Sequence, residues 1–121
     1  MDMFYTGPTD GTLIFNVHSV AENEGIFAIT SDGKVWCQGL EVMHAPFWGD
    51  YVFEKTYQLK PLKEVEQYVV ANKHLPDFPS AEELEANGVD VYEMLRLLTV
   101  KVEELTLYTI ELEKRIEQGN K

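Results

Sequence analysis

Apolar residues in the last third of the chain recur in steps of four and three: Val91, Leu95, Leu98, Val102, Leu105, Thr109, Leu112 and Ile116. With Leu95, Val102, Thr109 and Ile116 at heptad position a, and Val91, Leu98, Leu105 and Leu112 at d, only Thr109 interrupts the stripe. A repeat near 3.5 residues keeps one helix face aimed at a neighbouring helix along a shared axis, the signature of a coiled-coil seam. Earlier segments read as β structure, although the apolar run Leu13-Ile14-Phe15 blurs any strict alternation. Thr12–Val17, Gly25–Thr30 and Lys34–Cys37 are rich in strand formers, and Ser31-Asp32-Gly33 supplies the positive φ of a tight turn between the last two. The third strand is expected to run on through Leu40 to Val42, with Gly39 as a bend.

Between these blocks lie two shorter helices. Pro61 opens the first, which reaches Asn72 with Leu62, Val65 and Val69 on one face, and Pro76 and Pro79 prevent its continuation. Ser80 with Glu83, and Asp90 with Glu93, form capping-box signatures for the second and third helices, and Gly88 separates them. The expected fold class is therefore α+β: a β-hairpin with short strands, then two short helices and a long C-terminal coiled-coil helix. The division falls into a β-rich segment at 1–45 and a helical segment at 46–121 that opens with an aromatic connector. In that connector Phe47, Trp48 and Tyr51 are too apolar for a free linker, and packing on the first helix is the expectation, with sugar stacking as the alternative.

A third helix of about 29 residues would span roughly 43 Å, and a first helix of about a dozen residues would cover less than half of it. The seam leaves a parallel dimer, a parallel trimer and an intramolecular hairpin open. A second stripe (Leu97, Val100, Leu107, Tyr108, Ile110) needs burial of its own, for which the first helix and the connector are candidates.

Charge narrows the partners. The formal net charge is −11, from 21 Asp and Glu against 10 Lys and Arg, spread along the chain. Nucleic-acid binding rests on Lys and Arg displacing counterions, so neither a nucleic acid nor an anionic membrane is expected. A single cysteine, Cys37, excludes an intrachain disulfide framework. No apolar run reaches membrane-spanning length, and the start of the chain lacks the basic and apolar regions of a signal peptide. Membrane insertion is not expected.

The sequence offers no ordered catalytic constellation. His18, His44 and His74 are far apart, Cys37 has no near partner, and neither a phosphate loop nor a nucleophile elbow occurs. Ser31-Asp32 reads as turn chemistry, His74 as a turn-stabilising residue, and the pairs Glu82-Glu83 and Glu103-Glu104 as solvated helix faces. No catalytic, cofactor or metal site is expected.

A family resemblance covers somewhat more than half of the chain. It runs through Asp50-Tyr-Val-Phe-Glu-Lys-Thr-Tyr-Gln-Leu59, Leu62-Lys-Glu-Val-Glu-Gln-Tyr68, Asn72-Lys-His-Leu-Pro-Asp-Phe-Pro-Ser80, Ala81-Glu-Glu-Leu-Glu-Ala-Asn-Gly88 and Glu103-Glu-Leu-Thr-Leu-Tyr108. This string resembles the C-terminal module of bacteriophage tail-fibre and related fibre proteins of Bacteroidetes-type phages and prophages. The chain departs from that pattern in its short N-terminal part and in Val91-Tyr92-Glu93-Met94 before the last helix. The resemblance implies a homotrimer with strands of three chains interleaved ahead of a trimeric coiled coil, located on a virion or extracellular particle. The expected partners are two further copies, other particle proteins at the N-terminal part, and a host-surface glycan or receptor. A trimeric adhesin, an injection-particle fibre and a dedicated trimerisation module are the alternative roles.

Overall fold

The computed structural model describes residues 6–120; the first five residues of the expected β-rich segment and Lys121 lie outside the described residues. The chain has an α+β fold: a small antiparallel sheet, then helices, the last of them long. It divides after Met43 into two compact units.

The first unit is a three-stranded meander of β1 (Leu13–Ser19), β2 (Glu24–Thr30) and β3 (Val35–Cys37) in spatial order 1-2-3. Asn23, with φ of 54°, closes the first turn, donating its N–H to Ser19 O at 2.9 Å. Asn tolerates this left-handed region better than most residues. Gly33, with φ of 86°, closes the second turn, where the Thr30 N–H donates to Lys34 O at 2.9 Å. Ser31 and Asp32 are turn residues here: Thr30 Oγ1 donates to Asp32, and Ser31 Oγ accepts the Gly11 N–H at 3.1 Å. The expected extension of the third strand does not form. β3 stops at Cys37, and residues 40–42 carry no ladder.

Strand register sorts the side chains. Phe15 pairs with Ile29 and Val17 with Phe27 across β1 and β2, while Phe27 pairs with Cys37 and Ile29 with Val35 across β2 and β3. Paired residues share a face, as do alternate residues of one strand. Between the register shifts at the two ends of β1, one face of the sheet is thus apolar. Phe15 and Phe27 meet edge-on across it with ring centroids 6.1 Å apart, yet Phe15, Val17, Ile29 and Val35 remain exposed.

The second unit begins with the connector and a short 3-10 turn, Tyr51–Phe53. It continues into α1 (Leu62–Asn72), α2 (Ala81–Asn87) and α3 (Val91–Gly119). Pro61 stands one position outside α1, as its cap, and its carbonyl accepts from Glu64 and Val65. Lys73, in the left-handed region with φ of 61°, ends the helix. Ser80 Oγ accepts the Glu83 N–H at 3.2 Å and Asp90 Oδ1 accepts the Glu93 N–H at 2.9 Å, so both helix starts have their side-chain caps. The Glu93 carboxylate is engaged by Arg96, whose Nε donates to it at 3.0 Å, rather than turning back to the cap.

The core is small. Val52, Val100 and Tyr108 are its buried apolar side chains in the second unit, with Val52 only 2% exposed. The 3-10 turn, not α1, is the element that packs on α3. α1 contributes no buried residue of its own.

Candidate functional site

Seven apolar seam residues of α3 lie in the open. Val91, Leu95, Leu98, Val102, Leu105, Leu112 and Ile116 are between 44% and 64% exposed, over a helix of 29 residues. Neither α1 nor the connector covers them, so the intramolecular hairpin that the seam left open is not formed. Thr109, the one polar member, is also exposed, and its Oγ1 donates to Leu105 O at 2.8 Å. The hydroxyl is therefore satisfied within its own helix, and the interruption costs the stripe little.

As far as Tyr108 the chain covers the other sides of α3; from Thr109 onward the helix is exposed on every side. On the e and b flank, Tyr92 donates its hydroxyl to Pro46 O at 2.5 Å and stacks obliquely on Trp48 at 5.7 Å between centroids. Further along that flank, Arg96 Nη1 donates to Phe47 O at 3.4 Å. Next, the Asp50 N–H donates to both carboxylate oxygens of Glu103 at 3.0 Å. Gly49 makes this approach fit: a Cβ there would stand 2.6 Å from Glu103 Oε1 and 3.2 Å from Thr99 Cγ2.

Glu103 is accordingly buried, at 8% exposure, which corrects its reading as part of a solvated pair. Glu104 is also largely covered, and pairs with Lys101 at 3.1 Å. Local periodicity places both acids on an outer face; only the distant connector turns that face inward. The aromatic connector likewise lies on α3 rather than on α1. Trp48 and Tyr51 are half-exposed, and Phe47, held at φ of 57°, is 81% exposed.

On the g and c flank, the segment before α1 crosses the helix. The Tyr108 hydroxyl donates to Lys60 O. Beside it opens a groove of about 550 Å³ between α3, α1 and the 75–77 loop, with Leu62, Val65, Leu75, Leu105 and Tyr108 among its walls. Burial and the Glu104 carboxylate push the Tyr57 hydroxyl at its edge up to about 12. Burial, followed by the charges of Glu104 and Glu111, raises Tyr108 as well.

Charge is partitioned around the helix. At positions e and g the charged residues are Glu113, Lys101 and Arg115, and positions a and d carry none. The other acids of α3 (Glu93, Glu103, Glu104, Glu111, Glu117) all fall at b, c and f. On a chain of net charge −11, the seam and its borders are thus free of net negative charge. An acidic surface approaching α3 would be repelled least there.

The remaining residues singled out by sequence lie apart from this face. His74 Nδ1 donates to Leu75 O at 2.9 Å and meets the Tyr68 ring edge-on, as a turn residue does. His18 bonds Asn16 within β1, and Cys37 is exposed and free. Among the described residues, no group of three or more His, Cys, Asp or Glu is placed to hold a metal. Among them too, no helix is long and apolar enough to cross a membrane. No protein-family model matches the chain, and neither a curated protein nor a solved structure is significantly similar to it.

Proposed function

We propose that this chain is a structural element that assembles as a homotrimer through the seam of α3, in the manner of a phage fibre whose coiled coil holds three chains in register. The observation that carries the reading is the division of α3: seven seam side chains stand half-exposed while the same helix buries Val100, Glu103 and Tyr108 against its own chain. Where its back is covered, from Tyr92 to Tyr108, the helix presents its apolar front to another molecule, and the same stripe runs on through the exposed last turns. Burying the exposed part of each seam side chain stabilises assembly by roughly 1 kcal/mol per residue, enough in sum to hold micromolar chains together.

The open face of the sheet fits the same reading. Three strands are too few to bury a face of Phe15, Val17, Phe27, Ile29 and Val35 alone, and strands of neighbouring copies would supply the missing layer. The helix would then also act as a registering device, gathering three chains before their β segments pair. On a virion the fibre would contact a host surface with its exposed aromatics, Phe47 foremost.

The test is the absolute mass in solution, by light scattering behind size-exclusion chromatography. One chain is 13.9 kDa, so a trimer reads about 42 kDa and a dimer about 28 kDa. A stable monomer at micromolar concentration would remove the proposal's physical basis. Retention of the chain in purified particles, read by mass spectrometry, then tests the fibre assignment separately.

A further inference from the structure

We infer that the groove between α1 and α3 is a socket for the neighbouring copy, which seats its Ile110 there. The inference rests on the trimer proposed above. Three identical chains around a closed threefold axis are necessarily parallel and in register. In that arrangement the g flank of each helix faces the e flank of the next.

The two flanks of α3 are built differently, and the difference is complementary. The groove lies on the g and c flank, where Lys101, Glu104, Leu105 and Tyr108 form its α3 wall. The connector occupies the e and b flank from Tyr92 to Glu103 and then leaves it. Beyond that point the flank is bare. It displays Thr106 and Ile110, whose side chain is 42% exposed and has no place in the seam.

In register, residues of equal number share a height along the axis, and helical side chains lean back toward the N-terminus. Ile110 of one copy therefore comes level with the far end of the groove, beside Tyr108 and Leu105 of the next. Thr106, whose hydroxyl donates to Val102 O at 2.8 Å, comes level with its middle. Leu105 belongs to both surfaces, as a seam residue and as a groove wall, so the seam runs into the socket without a break. Pairing g with e in this register also juxtaposes no like charges: Lys101 meets Thr106, Tyr108 meets Glu113, and Arg115 meets Asn120. The socket gives Ile110 a burial site that its own chain does not provide.

The experiment joins the two surfaces covalently. In a Cys37→Ser background, Leu62→Cys and Ile110→Cys are introduced together and singly, and each protein is treated with a short bismaleimide. Mass by light scattering is recorded before treatment. The double variant is expected to form a covalent trimer on a denaturing gel, and each single variant to stay monomeric on that gel. A 42 kDa solution mass without inter-chain bonds in the double variant overturns the socket and leaves the trimer standing. Covalent dimers from Ile110→Cys alone mean apposed b positions, which a parallel ring excludes, and overturn it as well. A monomeric or dimeric solution mass removes the reading beneath it. As a second readout without cross-linking, Ile110→Ala should raise the concentration at which the trimer dissociates by roughly tenfold. An unchanged midpoint counts against the socket.

Discussion

The sheet unit and the helical unit hold themselves together by different means. In the sheet, order comes from the ladders and from the polar turn around Thr30, Ser31 and Asp32; among the described residues Ala28 is its one buried apolar side chain. In the helical unit, apolar burial and a long-range polar clasp work together, with Val52 and Val100 inside and Glu103 gripping the connector. Both leave one apolar face open. The lesson is that a helix can be finished on its own back before it meets a partner, because its backbone hydrogen bonds are internal. A thin sheet cannot, because its edges and second face need another layer. Under the proposed assembly, the helical unit is complete before it associates, and the sheet unit depends on association.

The sharpest way to break this contrast is to disrupt the seam. Leu98→Asp or Leu105→Asp would set three carboxylates around one axis, an uncompensated burial costing on the order of 3–5 kcal/mol. The solution mass should fall to 13.9 kDa, with amide exchange accelerating across β1 and β2 while the caps of α2 and α3 persist. Retention of the trimer with an intact sheet in both variants would sink the proposed seam.

Smaller effects should stay within one unit. Glu103→Ala strands the Asp50 N–H and is expected to lower stability by about 1–3 kcal/mol, releasing Trp48 from Tyr92; the tryptophan fluorescence reports it. Its counterpart in the sheet is Gly33→Ala, which forces a Cβ into the left-handed region and should cost about 1 kcal/mol in thermal unfolding. Asp90→Ala removes the cap of α3 for about 1 kcal/mol.

The weakest effect is on pH. Tyr57 has a folded value raised to about 12 from 10.0, so the folded state holds its proton longer than the unfolded chain does. Its contribution is fully present below pH 10 and is lost as pH rises through 12. A modest fall in unfolding midpoint across that window, absent in Tyr57→Phe, is the expected readout.

Much of this was legible along the chain. The caps Ser80 and Asp90, the stop at Gly88, the Asp-Gly turn and the 3.5-residue stripe are local signals, each decided by residues within one or two turns of backbone. They fixed the order of elements and which face of α3 is apolar. The third strand stops short of Leu40 and Val42 because strand propensity has no effect without a partner ladder, and β2 ends its pairing at Cys37. Glu103 read as solvated for the same kind of reason: nothing near it in sequence reveals that Gly49, 54 positions earlier, clears room for a carboxylate against the Asp50 amide.

Sequence by itself determined the helices, their ends and the seam, since capping and periodicity act over distances the chain cannot avoid. Tertiary structure alone decided which flank of α3 the connector would take, that α1 would leave a groove instead of a packed contact, and that the seam would remain uncovered. Those outcomes turn on long-range contacts whose geometry depends on backbone approach and side-chain volume at distant positions, and no local pattern encodes them.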